Sequence, residues 1–446
     1  MFRRVLIANR GEIACRVART CRRMGIGVAA VHSDPDAEAL HVQHADCAVR
    51  LPGSSSADTY LRADLIVDAA LRVGADAIHP GYGFLAENAG LARRCAEAGI
   101  TFVGPRPEAI ERMGSKLEAK RLMETAGVPV LPSRAVDGVV DSAADPVGFP
   151  LLVKASAGGG GKAMRIVAAP GDLGAAVEAC RREAAASFAD DTVFLERYLE
   201  SPRHVEVQVF GDTVGNVVHL FERECSIQRR YQKVIEEAPS PALSPDLRRA
   251  MGEAAVAAAR AIAYTGAGTI EFLVEPDGRF WFLEMNTRLQ VEHPVTELTT
   301  GLDLVRLQIL VAAGERLPAT VAGAEQRGHA IEARLYAEDP EHGYLPASGL
   351  LSHFDIPELP GIRVDAGVAS GSRVPIHYDP LLAKVVAWAE TRREAASLLA
   401  AALADARLHG VRTNRDLLVS VLRHPDFLAG AATTAFLETY PPAVLT

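Results

Sequence analysis

The sequence predicts an α/β protein of three segments: an N-terminal doubly wound sheet, a central segment of polar strands with a mobile lid, and a compact tail. Three observations lead there. At 446 residues the chain is too long for one core. Its first 112 residues alternate short apolar runs with helical spacing, the signature of an open, doubly wound α/β sheet. From Phe280 to His293 apolar and polar residues alternate singly, which an extended strand converts into two opposite faces. The composition, 49% hydrophobic and 23% charged, is that of a globular protein, and a net charge of −9 argues against a nucleic-acid partner.

No apolar run approaches the ~18 residues of a membrane span, and the N-terminal run Val5–Ala8 is too short for a signal peptide. Six cysteines (15, 21, 47, 95, 180, 225) form no Cys-x-x-Cys pair and no metal spacing, so they read as reduced thiols of a cytoplasmic protein. Only six lysines occur, against 41 arginines. The lysines therefore mark places that need a compact ammonium instead of a planar fork. Four of the six fall in the motifs below.

In residues 1–112, Val5–Ala8, Val28–His32, Ala75–His79 and Thr101–Val103 read as buried strands, and 12–23, 61–73 and 87–98 as helices. The first strand–helix junction, Asn9-Arg10-Gly11-Glu12, is not Gly-x-Gly-x-x-Gly, which speaks against a dinucleotide site. His79–Phe84 follows a strand directly, where such sheets bind ligands; a structural Pro/Gly turn is the other reading.

Residues 113–325 form the central segment. A helix is expected over Lys116–Ala126, ended by Gly127 and Pro129. Lys116 near its start opposes the helix dipole, so it suits another job, such as meeting phosphate. Pro150–Lys154 reads as a strand. Gly158, Gly159, Gly160, Gly161 and Lys162 then precede a second strand, Met164–Val167. Four glycines let backbone N–H groups approach an anion. No Ser or Thr follows Lys162 and the loop joins two strands, so this is no Walker A loop; it reads as a flap over phosphates, or else as a plain linker. Arg203–Val209 is a strand with an apolar face (Val205, Val207, Val209) and a polar one (His204, Glu206, Gln208). Glu222–Lys233 is dense in charge and amide and fits no helical face; its bland reading is an exposed loop.

Thr269–Glu275 leads through Pro276-Asp277-Gly278 into the alternating stretch. A two-residue tip would place Glu271 across from Glu284; a three-residue loop would shift the pairing by one. Opposed carboxylates repel, and a hard divalent cation, Mg²⁺ or Mn²⁺, resolves the repulsion with all-oxygen ligands. The stretch thus has a metal end (Glu271, Glu284, Asn286) and a second end (Arg288, Gln290, Glu292) suited to a small oxyanion, with Pro294 stopping the strand. Residues 326–446 form the tail, with strands at His329–Arg334 and after His377-Tyr378-Asp379-Pro380, and an amphipathic helix at 392–408.

The glycine flap between strands and the paired acidic strands resemble the ATP-grasp fold. Longer stretches resemble its biotin carboxylase branch: Ala8–Ala14, His79–Asn88, Arg203–Gln208, Gln228–Glu237 and Glu284–Glu297. The resemblance covers essentially the whole chain. It implies a pre-ATP-grasp domain (1–112), an ATP-grasp domain (113–325) and a C-terminal biotin carboxylase domain (326–446). It also implies a two-stage reaction, in which bicarbonate attacks the γ-phosphate of MgATP and the resulting CO₂ is captured by N1′ of biotin.

The family's roles, carried over by position, are as follows. Lys116, Lys154, Glu196, Leu199, His204, Gln228 and Leu273 contact ATP, and Gly158–Gly161 close over it. Glu271, Glu284 and Asn286 hold two metal ions. Lys233, Arg288, Gln290 and Val291 (through its backbone) hold bicarbonate, and Glu292 is the base. Arg334 stabilises the biotin enolate, and Tyr82 and Asp379 line the biotin side. Tyr231 departs from the family's His, and Ala163 stands where relatives often have Gly. No Ala-Met-Lys-Met-like attachment sequence occurs, so the resemblance implies biotin on a carrier protein or a part outside this chain, a separate carboxyltransferase, and a homodimer. Another ATP-grasp ligase would leave Arg288, Gln290, Glu292 and Arg334 unexplained. A non-catalytic scaffold would have lost metal or base positions.

Overall fold

The computed structural model describes residues 1–136, 147–157 and 163–445. The flap residues Gly158–Gly161 and Lys162 lie outside them.

Strands β1 (Arg4–Ile7), β2 (Gly27–His32), β3 (Cys47–Arg50), β4 (Ala77–His79) and β5 (Thr101–Phe102) make a parallel sheet in the order β3-β2-β1-β4-β5. The expected doubly wound sheet is there, with one strand more than the apolar runs indicated. In β3 only alternate residues turn inward, so it carries no continuous apolar run. The order reverses between β1 and β4, and the loops that follow these strands meet there. Asn9 ties them together: its Nδ2 donates to the carbonyls of Pro80 and Tyr82, each at 2.7 Å. Gly81 lies at φ +65°, and a Cβ there would come within 2.9 Å of that amide nitrogen.

A second sheet holds β6 (Ser133–Ala135), β7 (Leu151–Ala155), β8 (Met164–Val167) and β9 (Val193–Arg197) in the order β6-β9-β7-β8. Helix Leu173–Phe188 covers it, placing Val177 and Cys180 against Leu151 and Val153. Ala163, just before β8, takes φ +49°, in the left-handed region where an alanine is strained and a glycine is not.

The largest sheet has eight antiparallel strands. In spatial order they are β14 (Phe280–Asn286), β13 (Gly266–Val274), β10 (Arg203–Gly211), β11 (Val217–Arg229), β12 (Gln232–Ala238), β15 (His329–Tyr336), then Leu381–Ala389 and Ile362–Ala366. Helix Pro245–Ala261 packs Met251, Ala255 and Ala258 on its apolar face, against Val205, Val207 and Val209. The sheet runs unbroken from the central segment into the tail through β12 and β15.

Three expectations change. The stretch Glu222–Lys233 is no exposed loop but the β11–β12 hairpin in the middle of this sheet, with Arg223 fully buried. Its tip, Arg230-Tyr231, takes φ +48° and +67° without any Gly or Asn to signal the turn. Next, the loop after β13 spans three residues, because Glu275 N–H donates to Arg279 O at 2.8 Å. That alone would misalign the carboxylates. A β-bulge beyond Phe272 takes up one residue of β14, and Glu271 again faces Glu284. The bulge also switches the inward parity, so Phe282 and Met285 share one core. Finally, the strand ends at Asn286. Residues 287–292 leave the sheet, and Pro294 sits in the first turn of helix His293–Thr300 instead of merely stopping a strand.

Candidate active site

The site lies on the polar face of the large sheet, to which β10 contributes His204 and Glu206, β11 Arg223, β12 Lys233 and Glu236, β13 Glu271 and β15 Arg334. At its centre is Lys233 of β12. Its Nζ donates to Glu206 (2.6 Å), Glu271 (2.9 Å) and Glu292 (2.6 Å). Burial alone would lower the Lys233 pKa; Cys225 and the three carboxylates outweigh it and hold the ammonium well above the lysine range. Arg334 of β15 donates through Nε to Glu236 (2.6 Å) and through Nη2 to Glu292 (2.9 Å). Glu292 is fully buried, with one oxygen on Lys233 and the other on Arg334. Burial pushes its pKa up, but Lys233, Arg334 and Arg223 overcome this and keep the carboxyl well below the usual range. Glu236 goes the other way: burial, opposed by Arg334 and aided by Glu292, raises it to about 7.

Glu271 joins the two ends of the site. Besides Lys233 it receives the amide N–H groups of Asn286 (2.9 Å) and Gln290 (3.1 Å), and His204 Nε2 lies 2.9 Å from its other oxygen. Burial works against its charge, yet Lys233 and His204 depress its pKa strongly. Glu284 is raised, first by burial and then by Glu271, with Lys116 and Lys154 opposing. The pair thus carries a net repulsion that a hard cation would remove, and its donor atoms are oxygens, so these residues fit Mg²⁺ or Mn²⁺.

Arg288 reaches Gln290 Oε1 (2.7 Å) and Asn286 Oδ1 (2.8 Å), and its Nε donates to Glu87 at 2.8 Å. Glu87 comes from the N-terminal segment and also receives Thr287 N–H at 2.9 Å. Lys154 donates to Glu196 (2.8 Å), whose other oxygen lies 2.5 Å from Lys120. Burial raises the Glu196 pKa, but Lys154 and Lys120 bring it down to about 2. Lys116 is held at its backbone, where N–H donates to Ser156 O at 3.0 Å. Leu199 is buried, Leu273 half-buried beside His204 in register, and Gln228 pairs in register with Lys233. Tyr82 donates its hydroxyl to Glu12. Asp379 is exposed and accepts Leu381 N–H at 2.9 Å. Val291 is half-buried, and its carbonyl accepts from Lys384 at 2.8 Å.

The structure therefore gathers Lys233, Glu271, Asn286, Arg288, Gln290, Glu292, His204 and Arg334 into one bonded cluster. Sequence reasoning missed the groups that support them: Glu206, Arg223, Glu236, Lys120 and Glu87. Arg223 is fully buried, donates to Glu206, and reaches Gln208 (2.8 Å), Thr296 (2.9 Å) and Thr269 (3.0 Å). The position of Glu206 and Gln208 on one polar strand face was visible. Its partner was not, because Arg223 lay in a stretch read as a loop.

Three family models match along the chain: "Biotin carboxylase, N-terminal domain" over residues 1–110, "Carbamoyl-phosphate synthase L chain, ATP binding domain" over 115–320, and "Biotin carboxylase C-terminal domain" over 332–439. The biotin carboxylase of Halalkalibacterium halodurans is 49% identical over 445 residues, covering 99% of this chain and 98% of that one.

The chain belongs to the biotin carboxylase family of ATP-grasp ligases.

Among other biotin carboxylase relatives, the methylcrotonoyl-CoA carboxylase subunit alpha of Glycine max is 50% identical over 98% of this chain, which spans 60% of that subunit's length. The biotin carboxylase domain dimer of Hydrogenobacter thermophilus 2-oxoglutarate carboxylase, solved with MgADP, ADP and bicarbonate, superposes with a TM-score of 0.95 at 46% identity. It covers 100% of this chain and 99% of that one. The Campylobacter jejuni biotin carboxylase reaches 0.94 at 41%, with 98% and 99% covered. No helix among the described residues is long and apolar enough to cross a membrane.

Proposed function

We propose that this chain carries out the biotin carboxylase half-reaction: ATP- and bicarbonate-dependent carboxylation of biotin N1′. A bicarbonate oxygen attacks the γ-phosphorus, the bond to the ADP oxygen breaks, and carboxyphosphate forms. Carboxyphosphate then splits into CO₂ and phosphate, the released phosphate takes the N1′ proton of biotin, and N1′ bonds to the carbon of CO₂.

The observation that carries this reading is Glu292 held as a carboxylate between Lys233 and Arg334, on the same short stretch as Gln290 and Arg288. A buried carboxylate kept ionised by two cations can take the bicarbonate proton where the anion docks, and the Arg288 fork with the Gln290 amide suits a small planar anion. In this reading Glu271, Glu284 and Asn286 hold Mg²⁺ or Mn²⁺, which neutralises charge on the ATP phosphates. Lys116, Lys154, Glu196, Leu199, His204, Gln228 and Leu273 line the nucleotide side, and the glycines 158–161 cover it as part of a lid at about 131–200. Lys233, Arg288, Gln290 and the Val291 backbone orient bicarbonate. Arg334, bonded to Glu292, stabilises the developing biotin enolate in this reading, and Tyr82 and Asp379 line the biotin side. The three segments 1–112, 113–325 and 326–446 then act as one unit. Biotin arrives on a carrier protein or on sequence outside this chain, and a carboxyltransferase consumes the product. The working form is a cytoplasmic homodimer, without nucleic-acid or membrane partners.

The test is ADP release from the purified chain with Mg²⁺, ATP and bicarbonate, with and without free biotin. Stimulation by biotin that disappears without bicarbonate supports the reading. ATP hydrolysis indifferent to both biotin and a biotinylated carrier domain overturns it in favour of another ATP-grasp ligase.

A further inference from the structure

The loop that carries Gln290, Val291 and Glu292 has left the sheet, so no strand ladder fixes its peptide planes. Two side chains do. His293 Nδ1 lies 2.7 Å from the Gln290 carbonyl. A carbonyl only accepts, so Nδ1 carries the proton, and the plane that presents Val291 N–H is held from its other edge. Lys384 donates to the Val291 carbonyl at 2.8 Å, which fixes the next plane, the one leading into Glu292.

Lys384 belongs to the strand Leu381–Ala389 of the tail and is fully buried. A buried ammonium is retained only with partners. Its Nζ also lies 3.1 Å from Glu12 Oε1 on the first helix, and 5.8 Å from the centroid of the Tyr82 ring. Glu12 in turn accepts the Tyr82 hydroxyl. One ammonium therefore touches the N-terminal segment, the tail and the loop between them.

We infer that Lys384 is a positioning residue for bicarbonate: with His293 it locks the two peptide planes flanking Val291, and so sets the direction of Val291 N–H and of the Glu292 carboxylate. The inference deepens the proposed reaction and rests on it. Lys384 touches no reacting group; it acts through Val291. The competing role is a staple between segments, with the loop geometry set elsewhere. Lys384→Met keeps the stem and removes the donor, but it strands the buried Glu12 carboxylate. The double variant Glu12→Gln/Lys384→Met removes the charge pair together and guards against misfolding.

The experiment measures bicarbonate-dependent ADP release by the full chain, varying bicarbonate and ATP separately, with melting temperatures alongside. The expected result, in the single and the double variant, is a bicarbonate KM raised about tenfold or more, with the ATP KM within about twofold of wild type. A bicarbonate KM within about twofold of wild type in the folded double variant overturns the inference, and a lowered melting temperature with it identifies the staple. Absence of bicarbonate dependence in the wild-type chain overturns the proposed reaction instead, whatever the variants do.

Discussion

Replacing Glu292 by Gln tests the centre of the site. The side chain has one oxygen 2.6 Å from Lys233 Nζ and the other 2.9 Å from Arg334 Nη2. Both partners are donors only, so an amide can satisfy one of them and must turn its NH₂ toward the other. The variant also loses the only group at this position that can accept the bicarbonate proton. General-base catalysis is worth ~10²–10⁴-fold, or about 3–5 kcal/mol of barrier. Bicarbonate-dependent ADP release should fall by that factor. Nucleotide affinity, measured by titration calorimetry, should change less than about threefold, because Lys116, Lys154 and Glu196 bond elsewhere. The pH dependence carries a sign. Glu292 is held well below its ordinary value, so it stays ionised as pH falls from 8 to 5, and any loss of rate in that window belongs to another group. A Glu292→Gln chain turning over within about threefold of wild type would refute the assignment.

Three further outcomes are expected. Glu196→Gln leaves the buried ammonium groups of Lys154 and Lys120 without their carboxylate, and should cost about 3–5 kcal/mol in urea unfolding at pH 7. Because the Glu196 pKa is lowered to about 2 from 4.5, its contribution is complete above 4.5 and disappears as pH falls toward 2, so the deficit of the variant should shrink in acid. Glu332 is fully buried, and among the described residues neither of its oxygens has a hydrogen-bond partner. Burial raises its pKa well above 4.5, so the folded chain keeps a proton that the unfolded chain releases, and stability drops as pH rises past 4.5. Glu332→Gln should therefore melt higher than wild type at pH 8 and lose the advantage near pH 4. Glu284→Gln relieves the repulsion with Glu271: the metal-free chain should melt no lower than wild type, while Mn²⁺ titration followed by electron paramagnetic resonance should show affinity weakened at least about tenfold.

Much of this site was legible because its side chains repeat with strand periodicity. The Glu271–Glu284 pairing and the polar face of His204, Glu206 and Gln208 follow from a period of two. The pairing arose differently from the simplest expectation, since a three-residue tip and a bulge cancel, and no local residue announces a bulge of this kind. The β11–β12 hairpin was not legible. A strand whose charges are buried looks like a solvated loop until its partners are known, and those of Arg223 come from β10, β13 and helix His293–Thr300. Its tip also lacks the Gly or Asn that normally marks two left-handed residues. Glu87 escaped notice for the same reason: its contact with Arg288 joins residues about 200 positions apart.

The unbroken sheet has a consequence for anyone exchanging tails among these enzymes. Lys233 and Arg334 grip the same carboxylate from strands on either side of the junction between the central segment and the tail, and the alignment Ile235 with Ala333 and Glu236 with Glu332 sets their spacing. A graft joined one residue out of step would swing Arg334 to the reverse side of the sheet and bring Ala333 or Leu335 toward Glu292. Such a chimera could still fold, and its nucleotide pocket would be intact. It would lose half of the grip on the Glu292 carboxylate, whose partner Arg334 lies 42 residues further along the chain.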